Sequence, residues 1–113
     1  MTTVEVQQSS EAQALVCSLA ELPAEERQRH QQVADALRAI RQTVRELPDG
    51  YAFQYPSDMH TILTVAEFMS REHLCCPFFR FTLEIEPGQA SIWLHVTGDS
   101  PVKEFLQAET NLV

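Results

Sequence analysis

Apolar residues return every three or four positions along the first half of the chain, at Val33, Leu37, Ile40, Val44 and Leu47. That spacing predicts a helix over residues 23–46 with one narrow seam, roughly 36 Å long at 1.5 Å per residue. Pro23 stands where a first helical residue belongs. Glu25 and Glu26 follow it, where acidic groups meet the positive end of the helix dipole. A seam this narrow is like a coiled-coil stripe, so it serves either the domain's own sheet or a second copy of the chain.

Leu47-Pro48-Asp49-Gly50 ends the helix and turns the chain. Tyr51, Phe53 and Tyr55 alternate with Ala52 and Gln54, which predicts a strand closed by Pro56. Ser57 or Asp58 can cap a second helix over 58–75. Met59, Ile62, Leu63, Ala66, Met69 and His73 share one face of it, widened by Val65, Phe68 and Glu72. Pro77 stops it, because the proline ring disfavours helical geometry in the residue before.

The clearest strand follows. Phe79, Phe81, Leu83 and Ile85 alternate with Arg80, Thr82, Glu84 and Glu86, giving one core face and one wet face. Pro87-Gly88 fits a type II turn. Ile92, Leu94 and Val96 form the apolar face of a return strand, with Trp93 and His95 opposite. Ser100 and Pro101 open a last helix docked by Val102, Phe105 and Leu106. Residues 14–19 are a short apolar stretch that fits a strand or a helical turn, and residues 1–13 read as a flexible N-terminal tail. The expected architecture is a single α+β domain over 14–113, with a small, mainly antiparallel sheet. A central hairpin, 79–86 with 90–97, is covered by helices on one face.

Composition narrows the function classes. The chain has 113 residues, 44% of them hydrophobic and 21% charged, which suits one globular domain with a core of its own. The formal net charge is −8. An excess of acid opposes nucleic acid and anionic membrane surfaces as partners. Arg27, Arg29, Arg38, Arg41 and Arg45 crowd one segment, but acidic residues are interspersed there, so the segment reads as a solvated helix face. No secretory signal pattern and no apolar run of membrane-spanning length is present. Three cysteines are an odd number, which favours reduced thiols and a cytoplasmic location over a disulfide framework.

Candidate chemistry concentrates at Cys75-Cys76. Two adjacent thiols, with Cys17 as a third, suit a soft ion: Zn(II), Cu(I), Hg(II) or arsenite. Neighbouring residues in an intact helix point about 100° apart, so convergence depends on Pro77 opening the last turn. Cys17 joins only if its segment runs past that helix end. Glu72 and His73 extend the candidate metal set. Against it, the negative end of a helix dipole disfavours thiolates. The cysteines also read as small core residues, His73 as a core-edge histidine, and Glu72 as a partner of Arg71 or Arg80 or as a solvated side chain. His30, His60 and His95 are scattered. No phosphate loop, nucleophile elbow or nucleophile–base–orienter set appears, so hydrolase, kinase or nucleotide-binding chemistry is not expected.

The run Glu72-His73-Leu74-Cys75-Cys76-Pro77-Phe78-Phe79-Arg80-Phe81-Thr82-Leu83 resembles a group of small uncharacterised bacterial proteins with the pattern Glu-x-x-Cys-Cys-x-Phe-x-x-Phe-x-Leu. Leu47–Tyr51, Trp93–Gly98, Lys103–Leu106 and Cys17 are similar to other parts of it. That group is associated with heavy-metal-resistance gene neighbourhoods. The resemblance points to Cys17, Glu72, Cys75 and Cys76, and equally to Gly50, Phe79 and Trp93. The expected function is soft-metal or metalloid binding through thiolates. The alternative is a non-catalytic module that forms a homodimer and uses its cysteines for packing.

Overall fold

The computed structural model describes residues 17–108. The expected tail and the first part of the 14–19 stretch lie outside the described residues. The rest of that stretch is no strand: Cys17 and Ser18 are irregular, and Leu19–Glu21 forms a single 3-10 turn. Helix α1, Ala24–Ile40, follows Pro23 and carries Glu25 and Glu26 in its first turn. Its buried face is His30, Val33, Ala34 and Leu37, so the first part of the expected seam packs into the domain's own core, while Ile40 and Val44 are exposed.

The helix ends six residues earlier than its spacing predicts. Arg41 turns to φ −61°, ψ 133°, and Val44–Leu47 becomes strand β1. The turn at Pro48-Asp49 pairs Leu47 with Gly50 and returns the chain as β2, Gly50–Pro56. The ladder extends beyond β1, with Gln42 N–H donating to the Gln54 carbonyl at 2.8 Å and Gln54 N–H to the Thr43 carbonyl at 2.8 Å. Strand pairing satisfies these backbone groups and overrides the helical spacing of Val44 and Leu47.

Helix α2, Met59–Cys75, is capped by Asp58, whose carboxylate accepts from Thr61 N–H and Thr61 Oγ1, both at 2.9 Å. Its buried face is Thr61, Val65, Phe68, Glu72 and Cys75. The expected face is split: Ile62 and Met69 pack against the core beside Val65 and Phe68, whereas Met59 is 76% exposed and Leu63 62%. Strands β3, Arg80–Glu84, and β4, Ser91–Thr97, form the expected hairpin, with Gly88 at φ 73° in the turn. Helix α3, Ser100–Ala108, docks through Val102 and Leu106.

The sheet is fully antiparallel in the order β1-β2-β4-β3. This is the expected α+β fold, but the hairpin expected at its centre is not central: β2 takes the other side of β4, so β2 and β4 lie in the middle and β3 at an edge. Register places Tyr51, Phe53 and Tyr55 beside Val96, Leu94 and Ile92, and these beside Phe81 and Leu83, on the face the helices cover. Trp93 lies on the open face under Arg45, whose guanidinium is 4.0 Å from the ring centroid. Among the described residues, no helix is long and apolar enough to cross a membrane.

Candidate metal and thiol site

Two helices and the N-terminal segment meet at one buried point. The seam of α1 places His30 one turn before Val33 and Ala34, facing the core. The buried face of α2 places Glu72 one turn beyond Phe68. His30 stacks on Phe68, with ring centroids 5.2 Å apart and planes at 15°. That stacking aims its Nε2 at Glu72 Oε1, 2.7 Å away. Glu72 is 4% exposed and His30 6%. The ring nitrogen that faces the carboxylate carries the donor proton, and Nδ1 has no hydrogen-bond partner among the described residues.

Cys76 sits just past the end of α2, where φ −129°, ψ 73° takes the chain out of helical geometry. Its N–H still donates to the Glu72 carbonyl at 2.7 Å. Its Sγ lies 3.4 Å from Glu72 Oε2. The N-terminal segment crosses the same helix end, held by Ser18 N–H donating to the Cys75 carbonyl at 2.9 Å. This crossing brings Cys17 to Cys76, and the two form a disulfide across a sequence separation of 59, with Cα atoms 4.6 Å apart. Three reduced thiols were expected. The structure has one disulfide and, among the described residues, one free thiol, at Cys75.

One donor atom each from Cys17, Glu72 and Cys76 lie within 4.8 Å of one another, a geometry that could hold a metal ion. The expected set is therefore only partly assembled. Cys75 is buried in the core and stands outside the group, because it remains on the helix while Cys76 has left it. Burial, and then the nearby Glu72 and Glu21 carboxylates, push the Cys75 thiol up and keep it protonated. His73 is exposed and also outside the group. Arg71 pairs with Glu26 and Glu67, each at 2.7 Å, and Arg80 is exposed, so the expected arginine partners of Glu72 give way to His30.

The sequence reading missed His30. A signal was present: His30 lies three and seven residues before Val33 and Leu37, on the same helical face. Nothing in the sequence linked that face to Glu72.

Chemically, the site sets a disulfide beside a carboxylate that is paired with an imidazole nitrogen. No protein-family model matches the chain, and neither the curated proteins nor the solved structures searched contain a match.

Proposed function

We propose that the chain, with Cys17 and Cys76 reduced, binds a soft metal or metalloid ion through their thiolates, with Glu72 as third donor. The role is sensing, buffering or handover of the ion. The observation that carries this reading is the convergence of the three donor atoms within 4.8 Å. Two sulfurs on one ion with bonds of roughly 2.3 Å sit about 3.8 Å apart, so the reduced pair must open modestly. Cys17, on an irregular segment, can provide that movement. His30 N–H holds Glu72 in place from behind, as outer partners orient metal-ligating groups.

The donor set also bears on the ion. Structural zinc is closed by four ligands, and this group supplies three. Two thiolates in a buried setting suit ions that accept few, soft ligands, so Cu(I), Hg(II) and arsenite fit better than Zn(II). The test is titration of reduced protein with each ion, followed by thiolate charge-transfer absorbance and by competition with a chelator. Cys17→Ser and Cys76→Ser are expected to weaken binding by more than a hundredfold, and Cys75→Ser and His73→Ala to leave it intact. Equal weak binding by all five proteins rules the reading out.

A second reading takes the disulfide as structural and the chain as a self-associating module. Met59 and Leu63, one turn apart on α2 and 76% and 62% exposed, favour it. A monomeric mass by light scattering at micromolar concentration counts against it.

A further inference from the structure

Glu72 has one oxygen held and one oxygen waiting. Oε1 is bonded to His30 Nε2 at 2.7 Å, while Oε2 lies 3.4 Å from Cys76 Sγ. Among the described residues, Oε2 has no other hydrogen-bond partner. A sulfur in a disulfide has no proton to donate. In the oxidised protein this buried carboxylate oxygen therefore faces an atom that can only accept, an arrangement that carries a desolvation penalty. Reduction cures it, because the Cys76 thiol then donates S–H to Oε2. The surroundings favour the reduced state in a way that an ordinary structural disulfide, packed against apolar groups, does not experience.

Access is asymmetric as well. Cys76 is 1% exposed, whereas Cys17 is only partly buried and lies on an irregular segment. Of the two ends of the disulfide, Cys17 is therefore the one open to an external thiolate.

We infer that Cys17–Cys76 is a redox-active pair that exchanges reversibly with a low-molecular-weight thiol of the glutathione class, by attack at Cys17. The external thiolate forms a bond to Cys17 Sγ as the Cys17–Cys76 bond breaks. Cys76 leaves as a thiolate, takes a proton from water and donates the resulting S–H to Glu72. A second external thiolate attacks the external sulfur of the mixed disulfide and releases Cys17 as a thiolate. Two external thiols are oxidised to one external disulfide, and the protein disulfide is reduced to two thiols by the same two electrons. The inference shares two sulfurs with the proposed ion site. It needs no ion, so either can fail without the other.

The test uses the full-length folded protein, free of metal and with a chelator present. The protein is equilibrated with mixtures of reduced and oxidised glutathione, quenched in acid, alkylated and mapped by mass spectrometry. The disulfide is expected to open in excess reduced glutathione without denaturant. Brief exposure should trap glutathione on Cys17. In Cys76→Ser the free Cys17 thiolate should form the same adduct by attacking oxidised glutathione, releasing one reduced glutathione. It should hold that adduct, because no Cys76 thiol is there to expel it. Glu72→Ala should move the equilibrium about tenfold towards the disulfide, which is about 30 mV for a two-electron couple. Persistence of the disulfide until the protein is denatured overturns the inference, as does trapping on Cys76. The wild-type and Cys76→Ser readouts decide the matter even if Glu72→Ala does not fold.

Discussion

Glu72 and His30, separated by 42 positions in sequence, meet at 2.7 Å inside the contact between α1 and α2. Each is polar, each is nearly fully buried, and each supplies what the other lacks: an acceptor for a ring N–H, and a donor for a desolvated carboxylate. Removing one partner strands the other. His30→Ala is expected to cost about 3 kcal/mol or more, the penalty for breaking a buried pair from one side. Glu72→Gln, which keeps an acceptor for the ring, should cost only about 1–2 kcal/mol. Urea unfolding of the two variants checks the order, and the reverse order would show that the pair does not act this way.

The disulfide should stabilise the fold less than its span suggests. Chain entropy alone predicts about 4 kcal/mol for a loop closed across 59 positions. In Cys17→Ser the Cys76 thiol recovers a hydrogen bond to the Glu72 carboxylate, which offsets roughly 1.5–3 kcal/mol. The expected net loss is about 2 kcal/mol, read as the change in unfolding free energy of Cys17→Ser against oxidised wild type. A loss near the full entropic figure would show that Glu72 gives the thiol no support.

A second set of charges ties the same two helices at their surface. Arg29 and Arg71 both donate to Glu67, at 2.6 Å and 2.7 Å. The Arg29 hydrogen bond foremost, with Arg71 beside it, holds the Glu67 carboxyl down at about 2, from an ordinary 4.5. A folded-state value below the unfolded one means that the pairing stabilises the protein above about pH 4.5. That contribution is lost as the pH falls towards about 2. Because surface ion pairs are screened, the loss should be on the order of 1 kcal/mol and smaller at high salt. Urea midpoints across this range should fall less steeply for Glu67→Gln than for wild type. Parallel profiles would remove Glu67 from the acid response.

Gly50 stands where β2 packs tightly against the Val96–Thr97 backbone of β4. A Cβ there would overlap the Val96 carbonyl oxygen and sit 2.8 Å from Thr97 Cα, both backbone atoms that cannot step aside. Gly50→Ala is therefore expected to cost about 3 kcal/mol, the upper range for overpacking. Gly88→Ala meets no atom within 4 Å but forces alanine to φ 73°, so its cost should be nearer 1 kcal/mol. Thermal unfolding distinguishes the two, and equal shifts would contradict the packing account.

What the sequence determined by itself was the strand alternation and the local caps and turns. Alternation at Phe81 and Leu83, and at Ile92, Leu94 and Val96, marks strands because successive side chains must point to opposite faces. Asp58 and Pro87-Gly88 mark a helix start and a turn because local backbone geometry demands those residue types. The same logic misplaced the end of α1. Val44 and Leu47 continue a helical spacing, but the hydrogen bonds that claim them come from β2, and helical spacing does not report them. Tertiary structure alone decided the site. Cys75 and Cys76 are equivalent in composition, and only the departure of Cys76 from the helix turns its sulfur towards Cys17. His30 became the partner of Glu72 because two buried helix faces pack together, not because of any spacing between the residues. Periodicity marks the alternating faces of the strands, and on α2 it only narrows the buried side, since Met59 and Leu63 share the expected face yet are exposed. Which elements then face one another depends on how the whole chain closes its core, and no local pattern encodes that.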